Sequence, residues 1–235
     1  MTEKIGGLVE DVKLEQTNLK KMELRLLQAQ INPHFLYNTF DTIIWLAEDN
    51  QNKEVVSMVS SLSNFFRTSL SKGRDYITLG EEQLQVMSYL QIQQTRYKDI
   101  LNYSVEIPEE LNDCIVLKLI LQPIVENALY HGIKNKRGMG MIRVWGEQKE
   151  DNLYFHIQDN GIGMREEEQN RVRMLLAERA RDYEDTYSGF GLANVNERIQ
   201  LSYGLEYGIS FTSIYGEGTT MVVCIPAKSN NCLLY

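Results

Sequence analysis

The sequence predicts an α+β protein, with an N-terminal helical hairpin of the four-helix-bundle kind followed by a two-layer α/β sandwich. Three observations point there. Apolar residues recur at gaps of three and four through the first 47 positions and again from Val55 to Leu70, the spacing of helices packed on partner helices. At Tyr103 the period drops to two, as Tyr103, Val105 and Ile107 alternate with Ser104 and Glu106. Strand-like runs then mix with helical runs of unequal length, which suits a sheet covered on one face better than a doubly wound one.

The first helix is expected to run from the N-terminus to about residue 50. Its seam takes in Ile5, Leu8, Val12, Leu19, Met22, Leu26, Ala29, Pro33, Leu36, Phe40, Ile43 and Ala47, with Glu15 as the one charged member. His34 lies one step off that seam and so faces solvent, and Asn38, four residues on, shares its face. Pro33 removes a backbone donor and is expected to kink the helix beside His34. On spacing alone, His34 fits a solvated surface histidine as well as a functional one. The register is established from the first residues, so a preceding segment is expected to feed this helix.

Asn50-Gln51-Asn52 interrupts the pattern, and Val55, Val56, Met58, Val59, Leu62, Phe65, Phe66 and Leu70 resume it in a second helix folded back on the first. Two arms with apolar faces call for a second copy, which makes the expected bundle a homodimer. A third helix from Gly80 to Tyr97, with Leu84, Met87 and Leu90 at helical spacing, is expected to link or brace the bundle. The domain boundary falls near residue 100. Residues 21–100 form the helical domain, 101–228 the strand-bearing one and 229–235 a tail.

In the second half the expected order starts with a strand over Tyr103–Ile107, stopped by Pro108, and a helix over Val116–Gly132. Strands near Met141–Glu147 and Leu153–Asp159 follow, and then a polar segment, 165–188. A helix from Gly191 to Tyr203, ended by Gly204, leads to strands at Gly208–Ile214 and Thr219–Pro226. The net charge of −8 argues against a nucleic-acid partner and against binding a membrane surface through basic residues. No apolar run approaches the ~20 residues of a membrane span. Cys114, Cys224 and Cys232 show no metal-ligand spacing and are expected as reduced thiols.

Four stretches could carry chemistry. Asn127, His131 and Lys134 fall at i, i+4 and i+7 on one helical stripe, with Glu126 adjacent; a side-chain amide oxygen there could ligate Mg²⁺, which leans on nucleotide phosphates for the rest of its shell. Asp159-Asn-Gly-Ile-Gly-Met164 ends an apolar strand, so Asp159 offers a fixed carboxylate for an exocyclic amine, and Gly161 and Gly163 allow close approach of a flat ligand. Ser188-Gly-Phe-Gly-Leu-Ala-Asn194 places Gly189 and Gly191 at a helix N-terminus, where free N–H groups suit phosphate. Gly216-Glu-Gly-Thr-Thr220 turns into the last strand and brings the Thr219 hydroxyl near the same place. Each has an ordinary structural explanation when taken alone: a polar helix face, a tight hairpin turn, a loop before a helix.

Their order and spacing together resemble the N, G1 and G2 boxes of the GHKL ATPase superfamily, and 165–188 resembles its mobile ATP lid. The helical half, with Gln28-Ala-Gln-Ile-Asn-Pro-His-Phe-Leu-Tyr-Asn38, Ser63-Asn-Phe-Phe-Arg67 and Tyr89-Leu-Gln-Ile-Gln93, resembles sensor histidine kinases of the LytS/YesM type. The Leu121-Gln-Pro-Ile-Val-Glu-Asn127 run is similar to that group as well. The resemblance spans about residues 20 to 226.

That resemblance implies a kinase core that binds ATP and Mg²⁺ in a GHKL-type sandwich and autophosphorylates His34. The phosphoryl group would then pass to an aspartate of a response regulator. Asn127 would hold Mg²⁺, with His131 and Lys134 near the phosphates. Asp159 would bind the adenine amine, with Gly161 and Gly163 shaping its wall. Gly189 and Gly191 would hinge the lid, the N–H groups from Gly191 through Leu192 to Ala193 would meet phosphate, and Asn194 and Arg198 match the start of the next helix. Asn38 and Glu126 are candidates for the catalytic group, Glu126 as general base, since Phe35 stands where many relatives carry an acid. Tyr130 replaces a phosphate-facing lysine, for which Lys134, Arg171 or Arg173 could substitute. Residues 1–20 would be the remnant of a signalling helix, and any membrane association would run through a missing N-terminal sensor region. The rival readings are a GHKL ATPase or serine kinase without phosphohistidine, and a non-catalytic dimeric scaffold.

Overall fold

The computed structural model describes residues 33–70, 73–177 and 190–227. By internal contacts the chain divides into two compact units, residues 1–52 and 53–235.

The first unit contributes helix α1, Pro33–Glu48. The earlier part of the expected helix, and with it the kink before Pro33, lies outside the described residues. α1 ends in a Schellman turn, with Asn50 at φ 57° donating to Ala47 O and Gln51 N–H reaching Leu46 O. An asparagine tolerates this left-handed position better than most residues, which is why Asn50-Gln51-Asn52 separates two helices. His34 is exposed, as expected. The buried stripe, however, is Phe35, Thr39 and Leu46, not the expected seam of Leu36, Phe40 and Ala47. Phe40, Ile44 and Trp45 of α1 are 46%, 56% and 60% exposed.

Helix α2, Asn52–Leu70, belongs to the second unit from Lys53 onward and buries Met58, Leu62, Phe65 and Ser69 at gaps of four, three and four. Strand β1, Tyr76–Thr78, leads into α3, Leu79–Arg96. A capping box starts α3: Thr78 Oγ1 accepts from Glu81 N–H, and the Glu81 carboxylate accepts from Thr78 N–H. Of the expected packing stripe, Leu90 is buried, but Leu84 and Met87 are 40% and 41% exposed, and Glu82, Val86, Tyr89 and Gln93 are buried beside Leu90 instead. α3 is turned so because it packs on the strand-bearing elements. The period changes near residue 100, yet in packing terms α3 goes with the strands.

The expected helix over Val116–Gly132 is three elements. Ile115–Leu117 is a strand, β3, antiparallel to β1, as its β-branched composition favours. Leu119 at φ 58° then turns the chain. Helix α4, Gln122–Asn127, begins with Pro123 in its first turn, where the missing donor costs nothing. A π-helical turn, Ala128–Ile133, continues it.

The main sheet has the order β2-β4-β5-β7-β6. Its strands are β2 (Leu101–Glu106), β4 (Gly140–Lys149), β5 (Asn152–Asp159), β6 (Gly208–Ile214) and β7 (Gly218–Pro226). β2 pairs parallel with β4 and the other pairs are antiparallel. Val144, Leu153, Phe155, Ile157, Val223 and Ile225 are buried on the inner face. The π-helical turn and α6, Phe190–Tyr203, cover that face. Part of the expected polar segment is ordered as α5, Glu166–Ala177; residues 178–189 lie outside the described set. Among the described residues no helix is long and apolar enough to cross a membrane. Cys114 and Cys224 are free thiols, and Cys232 is outside the described residues.

Candidate functional site

One cleft opens at the end of β5, between the π-helical turn, α5 and the start of α6. Its floor is Asp159, whose backbone is held in the middle of the sheet by β4 and β7. Asp159 is 6% exposed; its Oδ1 accepts Gly161 N–H at 2.8 Å, and Thr219 N–H is a second donor. Burial dominates all the same and pushes its pKa up to about 6, against those two N–H groups and the Lys136 charge. Lys136 itself donates to Asn160 O at 2.6 Å.

The glycines around Asp159 serve different ends. Gly163 has φ 63° and lines the cleft, and a Cβ there would strike Ile214 O at 2.0 Å. Gly161 does not line it; its missing side chain lets the loop pack against Gly132, whose carbonyl carbon would be 2.3 Å from a Cβ. Gly132, which sequence reasoning did not single out as a site residue, presses on the Asp159 carboxylate. Only its place after His131 could have signalled that role. Ile162 N–H donates to Gly132 O and Gly216 N–H to Ile162 O, so the loop is pinned on both sides.

The π-helical turn sets the opposite wall. It carries one more residue per turn than an α-helix segment of the same rise, so the stripe facing the cleft is Asn127, His131 and Asn135. Lys134, expected on that stripe, is rotated off it: its ammonium donates to Tyr97 Oη at 2.9 Å and lies over the Tyr97 and Tyr130 rings. Asn135 takes the place, with its amide donating to His131 O at 3.1 Å. Asn127 donates through Nδ2 to Pro123 O at 2.9 Å, which leaves its hard amide oxygen as the group to ligate a cation. A lone oxygen donor, with no cluster of acidic or histidine ligands among the described residues, fits Mg²⁺ held jointly with phosphates.

Glu126 does not line the cleft. It accepts Gln122 Nε2 at 2.8 Å, Gln122 accepts Gln85 Nε2 at 2.6 Å, and Gln85 reaches Ser69 Oγ at 3.0 Å. Burial raises its pKa. A carboxylate built into this seam between α2, α3 and α4 is poorly placed as the general base the sequence suggested. Asn38, on α1, is half-buried, and its Nδ2 has no acceptor among the described residues.

Leu192 and Thr219 line the cleft, the latter sharing a hydrogen bond with Ser213 Oγ at 2.9 Å. Gly191 and Asn194 are exposed outside it, and Gly189 lies beyond the described residues. Arg198 is structural: it donates to Lys118 O and Leu119 O at 2.7 and 3.3 Å. Beside it, the fully buried Glu82 accepts N–H groups of Leu119, Ile120 and Leu121. This pair shapes the loop feeding the Asn127 helix, and no sequence pattern marks it. Of the two expected arginines, Arg171 lines the cleft, while Arg173 is bonded to Gln169 and Asn170.

A recessed acceptor walled by apolar groups, next to an amide oxygen, an imidazole and a guanidinium, suits a flat amine-bearing base joined to a metal-neutralised anion. Comparison with known proteins agrees. The family model described as "Histidine kinase" matches residues 22–101, and "Histidine kinase-, DNA gyrase B-, and HSP90-like ATPase" matches residues 112–229. Sensor histidine kinase YesM of Bacillus subtilis (strain 168) is 36% identical over 229 residues, 97% of this chain and 37% of that protein. Sensor protein LytS of Staphylococcus epidermidis (strain ATCC 35984) is 33% identical over 213 residues, 90% of this chain and 35% of that protein. Among solved structures, the catalytic domain of histidine kinase ThkA has a TM-score of 0.48 and 17% identity, covering 65% of this chain and 95% of that one. The chain spans about a third of the length of the curated relatives it matches. With both family regions present in order and together covering most of its length, the chain belongs to the histidine kinases, carrying their histidine kinase region followed by their ATPase region.

Proposed function

We propose that this core phosphorylates its own His34 from ATP bound in the cleft, and that the phosphoryl group passes to an aspartate of a response regulator. The observation that carries the reading is the convergence of Asn127, Asp159, Leu192 and Thr219 on one cleft, in a chain that also holds an exposed His34. Asp159 accepts from the adenine amine, and the apolar wall excludes water from the base. Arg171 and the N–H groups at the start of α6 hold the phosphates. Asn127 Oδ1 would hold Mg²⁺, which would supply charge neutralisation to the nucleotide's phosphates. The neutral imidazole of His34 attacks the γ-phosphorus in line, the bond to the bridging oxygen breaks, ADP leaves with that oxygen, and the second ring nitrogen releases its proton. Positioning supplies most of the rate in such a transfer.

The exposed Phe40, Ile44 and Trp45 of α1 support a homodimer closing over that face. The word sensor in the names of both curated relatives supports a sensing input to this core, through which any membrane attachment would run. The test is the chemistry of the label from γ-labelled ATP. Phosphohistidine is lost in acid and survives base. An acid-stable label would point to serine or threonine instead, hydrolysis without label to an ATPase, and absence of nucleotide binding to a scaffold.

A further inference from the structure

Helix α5 walls the cleft with Glu168, Arg171, Val172 and Leu175, at i, i+3, i+4 and i+7. Yet none of its side chains is buried. Its apolar face is spent on the cleft, so burial against the protein contributes little to holding it, and polar tethers have to do so. At its first end Gln169 Nε2 donates to Met164 O at 3.0 Å and Ser213 O at 3.1 Å. At its last turn, where helix carbonyls lack partners, Leu176 O accepts Asn196 Nδ2 at 2.9 Å.

Asn196 lies on α6, is 4% exposed, and uses its other atom to accept Ile209 N–H at 2.8 Å at the start of β6. Gly208 makes room for it, since a Cβ there would come within 2.4 Å of Asn196 Oδ1. One buried amide therefore ties α5 to α6 and β6. An asparagine is required for this, because it alone among residues of its size offers a donor and an acceptor at once.

We infer that Asn196 is a positioning residue for the nucleotide: it fixes α5 so that Arg171, Val172 and Leu175 close on the ligand, without touching the ligand itself. The inference rests on the cleft's being the nucleotide site. Asn196→Asp separates the two bonds, since a carboxylate still accepts Ile209 N–H but cannot, when ionised, donate to Leu176 O. In the full chain at neutral pH, a fluorescent ADP analogue should bind Asn196→Asp about three- to tenfold more weakly, mainly through faster dissociation, which is the scale of one lost hydrogen bond. Hydrogen exchange should quicken across 166–177 while the Ile209 amide stays protected. Asn196→Ala, which loses both bonds, should expose both segments. Wild type that fails to bind the analogue would overturn the nucleotide reading. Wild type that binds, with Asn196→Asp matching it in affinity and in exchange across 166–177, would overturn the positioning role. A fall in melting temperature alone, with affinity unchanged, would count against it equally.

Discussion

Gly132 and Asp159 are packed so closely that a methyl group on the glycine would lie 2.5 Å from Asp159 Oδ1 and 2.7 Å from its carboxyl carbon. The π-helical turn that continues the Asn127 helix thus rests directly on the Asp159 carboxylate at the end of β5, with no Gly132 side chain between them. The spacing of two binding groups follows from that contact.

Gly132→Ala should therefore push the carboxylate out of place or shift the π-helical turn. Overpacking of this kind costs about 1–3 kcal/mol in stability, and ADP affinity should drop by about tenfold or more, since each 1.4 kcal/mol of lost complementarity is a factor of ten. Isothermal titration decides it. Wild-type affinity in a folded variant would remove the contact from the site.

Asp159 should impose a pH dependence of known sign. Its folded pKa, about 6, lies above its ordinary value of 3.8 because burial disfavours the charge. Between those values the folded chain keeps a proton that the unfolded chain has lost, so unliganded stability falls as pH rises through that window and is level above it. Binding runs the other way, because the ionised carboxylate is the better acceptor for an amine. ADP affinity should rise from about pH 5 to about pH 7 and then flatten. Asp159→Asn should bind more weakly with no such rise; a surviving rise would assign the titration to another group.

Glu82 is buried without exposure and holds three successive N–H groups, from Leu119 to Leu121, with Arg198 close by. Removing the carboxylate in Glu82→Ala strands those donors and an arginine, at a cost of about 3 kcal/mol or more. Urea unfolding measures it. Glu82→Gln keeps an acceptor and should fall between, while equal stability of all three would show that water replaces the carboxylate.

His34→Gln should abolish labelling from γ-labelled ATP and leave ADP affinity at the wild-type value, because the groups proposed to hold the nucleotide are Asn127, Asp159 and Arg171. Retained labelling would move the acceptor elsewhere.

Much of this was legible because the informative residues sit in short local patterns. Asp159-Asn-Gly-Ile-Gly ends a strand wherever that strand pairs, and the 2.0-residue period of β4, β5 and β7 survives in the order of apolar side chains. Lys134 shows where such reading stops. Its i+7 spacing from Asn127 presumes an α-helix, and the π-helical turn moves it to Tyr97 and brings Asn135 round instead.

The sequence alone determined the helices flanking the Asn50-Gln51-Asn52 break, the five strands of the main sheet and the order of the glycine-bearing motifs, since these follow from hydrophobic period, glycine and proline placement, and local capping. Only the tertiary structure decided which side of each helix is buried, that Glu126 joins a buried polar seam rather than the cleft, and that Gly132, Glu82 and Asn196 hold the site together. Those outcomes depend on contacts between residues tens of positions apart. A buried carboxylate or amide is stable only beside the particular backbone groups that satisfy it, and chain order does not specify those neighbours.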